Sequence, residues 1–255
     1  MRSAAVVPSL VLAVLAGASV AAAQSWSWPE KPENLKVLGP EIAGQRLRQV
    51  MTGFTRALGV RCSHCHVGKE GEPLSTYDFV SDENPNKERA REMLRLLGSV
   101  NGHLAKIEPS GAERVNMWCH TCHRGRPRPT TLEEELRDAY RAGGAAAMSA
   151  KYAELRERFY GRGALDFDER SLNQLGYDLL GAGDQEGAIA AFRLNADQFP
   201  GSGNVFDSLA EAYLASGRRE LAEIYYRKAL ELDPENENAL AKLRELRGGI
   251  EPAKP

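Results

Sequence analysis

Cysteine and histidine are scarce in this chain. Its 255 residues hold four cysteines and five histidines, and every one stands before residue 124. Methionine occurs only five times, and aromatic residues make up 7%. No sign of charge dominates: 33 Lys and Arg face 35 Asp and Glu, for a formal net charge of −2. That balance gives no reason to expect a nucleic-acid binder, whose phosphate contacts need an excess of basic residues. Beyond residue 23 no apolar run is long enough to cross a bilayer. What is present, 42% hydrophobic and 27% charged residues, excludes a wholly disordered chain. The length admits one large domain or two modest ones.

The long apolar run lies at the start. Met1-Arg2-Ser3 leads into Ala4–Val20, nearly free of polar side chains, and then into Ala21-Ala22-Ala23-Gln24. A basic start, an apolar stretch and a small-residue cleavage site form a secretory signal, expected over residues 1–23. An uncleaved anchor is the rival reading, but the run is at the lower limit for a span, and Pro8, Ser9 and Gly17 weaken it. No cysteine stands at the cleavage point, so lipid attachment there is not supported. The expected product is an exported, soluble, periplasmic protein, meeting a membrane only through a partner or an uncleaved signal.

The mature chain has two unlike halves. Residues 24–130 carry 16 Lys and Arg against 12 Asp and Glu, whereas residues 131–255 carry 16 against 23. The second half is rich in the helix formers Ala, Leu, Glu and Arg. Thr131 followed by Glu134 predicts a capping box just past the Pro- and Gly-rich boundary at Arg124–Thr131. Beyond it the sequence repeats with a period of 34 residues: Pro200 and Pro234, Leu175 and Leu209, Gly176 and Ala210, Ala188 and Ala222, Phe192 and Tyr226. This period, with large, small and aromatic residues at these offsets, is the tetratricopeptide signature. The repeats are expected at Glu169–Gly203 and Asn204–Glu237, with Asn238–Gly248 as a capping helix. Two units are few for a solenoid, and Tyr152, Leu155 and Phe159, on one helical stripe, are expected to supply further packing surface.

The scarce residues are concentrated in two motifs. Cys62-Ser-His-Cys65-His66 and Cys119-His-Thr-Cys122-His123 are both C-x-x-C-H, the attachment motif of c-type haem. Two thiols three residues apart reach the two vinyl groups on one porphyrin edge, and the following histidine lies beneath the ring to ligate iron. Two such motifs predict two covalently bound c-type haems held by Cys62, Cys65, Cys119 and Cys122, with His66 and His123 on the irons. Two disulfides, or one zinc bound by all four thiols, would leave both histidines unexplained. A thioredoxin-like site lacks its βαβ surroundings.

Each iron needs a sixth ligand. His64 and His120 are tied inside the motif loops, Met117 stands too near Cys119, and Met148 falls in the other half. Met51, Met93 and His103 are left. Glu41–Leu58 reads as a helix with Met51 on its apolar stripe, closed by Gly59. Asn86–Gly98 repeats the arrangement with Met93. A methionine on such a stripe is also a common core residue, but the shortage of ligands favours Met51 and Met93 as distal ligands. His103, expected beyond a helix end, is the reserve for the second haem. Arg56, Arg91, Arg95 and Arg124 are either a solvated basic face or partners for haem propionates.

The ordered pattern Met51-x-x-Phe54-x-x-x-Leu58-Gly59-Val60-x-Cys62-x-x-Cys65-His66, then Lys87-x-x-Ala90-Arg91-x-Met93, then Cys119-x-x-Cys122-His123-Arg124-Gly125 resembles the cytochrome c subunit of photosynthetic reaction centres. The resemblance covers about Val37 to Pro129. It implies a helix before each haem motif, with Met51 paired to His66 and Met93 to His123. Reaction-centre members bind four haems and this chain has motifs for two, so the resemblance implies the haem architecture and not a part in photosynthesis.

The expected fold is mainly α. A small helical c-type dihaem domain (24–130) precedes a helical connector (131–168), an α-solenoid of tetratricopeptide repeats with its capping helix (169–248) and a flexible tail (249–255). The expected function is electron transfer between periplasmic or membrane redox partner proteins, not enzyme catalysis, with a protein or peptide partner possible at the repeats. Thioether ligation raises the potential and leaves no open site on the iron. A dihaem peroxidase would need a displaceable ligand and a distal acid–base group, which no motif near Met51 or Met93 announces. A haem-containing sensor or assembly scaffold acting through the repeats is the other alternative.

Overall fold

The computed structural model describes residues 26–107 and 116–248. The expected signal, residues 1–23, and tail, residues 249–255, lie outside the described residues. The chain is mainly α, as the sequence leads one to expect. Its helices are α1 (Gly44–Leu58), α2 (Pro85–Ile107), α3 (Cys119–His123), α4 (Leu132–Phe159), α5 (Glu169–Gly181), α6 (Gln185–Gln198), α7 (Gly203–Ala215), α8 (Arg219–Leu232) and α9 (Glu237–Gly248). The described residues fall into two compact units: 26–50 with 62–94, and 51–61 with 95–107 and 116–248.

Two helices differ from expectation. α1 begins at Gly44 and not at Glu41, because residues 39–43 form a turn in which Ile42 N–H returns to the Gly39 carbonyl at 3.0 Å. α2 begins as expected but runs through Gly98 and Gly102 to Ile107, so His103 lies within a helix. A glycine in an exposed helix costs only about 1 kcal/mol relative to alanine, and the helix formers Leu104, Ala105 and Lys106 carry α2 onward. Asn84 caps α2, its side chain accepting from Asn86 N–H at 3.1 Å, with Pro85 at the first helical position.

In the first unit a polar knot and an aromatic cluster fix the irregular segments. Asp82 accepts from Lys36 (2.6 Å), Arg91 (2.9 Å), Lys87 (3.2 Å) and Asn34 Nδ2 (2.9 Å). Lys87 also donates to the carbonyls of Phe79, Val80 and Ser81 at 2.7–3.0 Å, shaping the chain ahead of α2. Phe79 meets Trp26 and Tyr77 at 5.4 and 5.6 Å between ring centres.

In the second unit the core lies in the repeats. α5 with α6 and α7 with α8 pack as helix pairs, α9 covers α8, and α4 lies against α5 and α6. Leu175, Phe192, Leu209, Tyr213 and Tyr226 are buried in one cluster, which Tyr152, Leu155 and Phe159 of α4 join as expected. Gly176 shows why the period holds small residues: a Cβ there would meet the Phe192 ring at 2.4 Å. The pairs turn at Gly183 (φ 82°) and Gly217 (φ 77°). The predicted capping box is present, with Thr131 and Glu134 each accepting the other's N–H at 3.2 and 3.0 Å. α4 breaks at Gly143–Gly144, where Gly144 takes φ 67°.

Candidate functional site

The first motif is a tight turn. Cys62–His64 is one turn of 3-10 helix, and Cys65 and His66 N–H both return to the Cys62 carbonyl, at 3.2 and 3.0 Å. The start of α2 holds this loop: Asn84 Nδ2 donates to Ser63 O at 3.3 Å and Asn86 Nδ2 to His64 O at 2.9 Å. The His66 ring stands edge-on to Phe79 at 5.0 Å. Its Nδ1 is buried without a hydrogen-bond partner. Burial, reinforced by the Lys87 and Arg91 cations, pushes the His66 pKa down to about 4. The imidazole is therefore neutral at physiological pH and keeps a nitrogen lone pair for a metal.

The second motif is the short helix α3. Trp118 N–H donates to Thr121 Oγ1 at 3.1 Å, and Thr121 N–H donates back to Trp118 O at 2.9 Å. His123, only 8% exposed, places Nδ1 2.9 Å from the Arg126 carbonyl. A carbonyl can only accept, so Nδ1 carries a proton, and in the neutral ring the lone pair is on Nε2. Arg124 at φ 48° and Gly125 at φ 84° make the turn that brings this carbonyl back. The end of α1 is bonded to the same turn. Gly125 N–H donates to Ala57 O at 2.9 Å, Phe54 stacks on Trp118 at 6.1 Å, and a Cβ on Gly59 would lie 2.1 Å from Gly125 O. Asn101 of α2 fixes the approach, donating to Met117 O at 3.0 Å and accepting Met117 N–H at 2.7 Å.

These residues fit covalently held haem. All four cysteines are free thiols. Burial raises the Cys65 and Cys119 thiols, keeping them protonated at neutral pH. Among the described residues no three His, Cys, Asp or Glu side chains gather as a bare metal-chelating group. Among the described residues ahead of 131 the buried hydrophobic side chains are Ile42, Leu47 and Ala57, while Met93 and Trp118 are 46% and 45% exposed.

The candidates for the sixth position fall in different places. Met51, half-buried on α1, belongs to the unit that contains the second motif, as does the exposed His103 on α2. Met93 belongs to the unit that contains the first motif. Two arginines considered for propionates are engaged by the protein itself. Arg91 bonds Asp82, Glu88 and the Asn34 carbonyl, and Arg124 donates to Gly163 O at 2.9 Å. Sequence reasoning missed Asn84, Asn86 and Arg126. The Asn-Pro-Asn run was a legible capping signal for the first two, but nothing local marked Arg126.

The family model of the photosynthetic reaction centre cytochrome C subunit matches residues 16–170, more than half of the chain. A tetratricopeptide repeat model matches residues 204–236. Among curated proteins the chain is similar to cytochrome c-554 of Chloroflexus aurantiacus, at 33% identity over 110 residues. That match takes in 42% of this chain and 24% of the relative, so the chain spans about a quarter of the relative's length. Among solved structures it is similar to the first tetratricopeptide domain of Spaghetti (RPAP3) bound to an HSP90 peptide. The TM-score is 0.32 at 17% identity, over 47% of this chain and 90% of that one.

Proposed function

Because the chain belongs to the photosynthetic reaction centre cytochrome c subunit family, we propose that it is an exported dihaem c-type cytochrome carrying electrons between redox partner proteins. The observation that carries this reading is the pair of C-x-x-C-H turns. Each offers two thiols and, directly after them, an imidazole. Cys62 and Cys65 would hold one haem by thioether bonds, and Cys119 and Cys122 the other. His66 and His123 would ligate the irons. Haem bound in this way supplies a one-electron iron couple.

The order of the family pattern pairs Met51 with His66 and Met93 with His123, and His103 is the alternative at the second iron. Residues 24–130 form the haem domain and 131–168 the connector. The repeats of 169–248 dock a protein or peptide partner, a role supported by the repeat match. Residues 1–23 direct export to the periplasm. The test is to mature the full chain with a c-type haem attachment system, then measure covalent haem per chain and record oxidised and reduced spectra. Two low-spin haems with the near-infrared sulfur-to-iron band are expected. A high-spin haem would turn the reading towards an enzyme, and no covalent haem would overturn it.

A further inference from the structure

Arg126 faces two ways. Its carbonyl receives His123 Nδ1 at 2.9 Å, and its N–H donates to His123 O at 2.9 Å, so the His123–Arg126 turn is closed in both directions. Its guanidinium, in a side chain 6% exposed, donates to Thr130 O at 2.6 Å, to Thr130 Oγ1, and to Glu135 Oε1 at 2.6 Å. Thr130 Oγ1 in turn donates to Glu135 Oε1 at 2.5 Å. The guanidinium also lies over the Phe159 ring, 5.7 Å from its centre. Glu135 and Phe159 stand on opposite sides of the Gly143–Gly144 break in α4, so one buried side chain is fastened to both arms of the connector. His66 has no equivalent, since its Nδ1 is unpartnered.

We propose that Arg126 is a positioning residue for the axial histidine of the second haem, its clamp on α4 holding its own carbonyl against His123 Nδ1. A hydrogen bond from the far ring nitrogen raises the basicity of an iron-bound imidazole. A more basic ligand favours iron(III), so the clamp lowers the potential of the second haem and leaves the first unaffected. The inference rests on the haem reading above, and extends it to the connection between haem and repeats.

The experiment is a potentiometric titration of the full-length, haem-loaded protein, with haem content measured first. Arg126→Lys keeps the charge but loses the forked geometry that spans Thr130 and Glu135. The double variant Arg126→Gln with Glu135→Gln removes the clamp with no change in net charge. In both, the midpoint assigned to the second haem is expected to rise by roughly a tenfold shift in its redox equilibrium, about 59 mV for one electron. The first midpoint should stay fixed. The low-temperature EPR signal of the second haem, which reports the axial ring orientation, should change with it. Thr130→Val, a milder variant, gives a smaller shift of the same sign if the others fail to accumulate. Unmoved midpoints in variants carrying two haems, or equal movement of both, overturn the clamp alone. Loss of the second haem in the parent protein overturns the ligand assignment beneath it.

Discussion

Asp82 holds together segments that the sequence keeps apart. Its carboxylate sits among Arg91, Lys36, Lys87 and Asn34, and the Arg91 guanidinium first of all holds its pKa far below the usual carboxylate range. Arg91 is only 6% exposed and leans on Asp82 and Glu88 for its counter-charge. Asp82→Asn is therefore expected to lower the melting temperature at neutral pH. The stabilisation from ionised Asp82 is complete above the ordinary carboxylate value, near pH 4, and is lost as pH falls through the depressed folded value. The parent and variant melting curves should thus be separated at pH 7 and converge in strong acid; a constant separation would contradict this. None of this could be read beforehand. Arg91 looked like a candidate for a haem carboxylate because its true partners, Asp82 and the Asn34 carbonyl, are set by the path of irregular chain, which no periodicity encodes. The motif residues were legible for the opposite reason: the turn that presents Cys62, Cys65 and His66 is itself only five residues long.

At the scale of elements, helix ends decide more than helix bodies. α1 closes with Gly59 at φ 66° and Val60 N–H returning to the Thr55 carbonyl at 3.1 Å, a left-handed cap. The same glycine lets Gly125 O approach where a side chain would stand. For Gly59→Ala the left-handed backbone alone costs roughly 1–2 kcal/mol. The clash is with backbone, which cannot rotate aside, so a total loss above about 2 kcal/mol is expected. Gly71→Ala, at φ 88° but with open space around it, is the control for conformation without a clash. Urea midpoints of the two variants should differ clearly, and equal midpoints would mean that the contact with Gly125 contributes nothing. Both repeat pairs were legible because a fixed period survives in any register, whereas the end of α2 was misread at Gly98. One glycine is a weak stop when good helix formers follow and no cap partner receives the chain.

At the scale of the whole molecule, apolar burial is unevenly shared. The main core runs from Leu132 to Leu246, while the described residues ahead of 131 are fixed mostly by polar knots, aromatic contacts and closed turns. A variant with all four cysteines changed to serine, which cannot attach haem, is expected to keep a cooperative helical melt from α4–α9. Its protease cuts should fall between residues 26 and 130. Circular dichroism with mapped proteolysis decides the point, and loss of the whole helical signal would contradict it. The bond between Ala57 and Gly125 also sets a timetable. A chain is made from its N-terminus, so when the end of α1 is complete its neighbours Trp118 and Gly125 do not yet exist. The Cys62–His66 loop waits only for Asn84 and Asn86. Ribosomal synthesis thus completes the residues of the first turn, Asn84 and Asn86 included, before Cys119 and Cys122 are made.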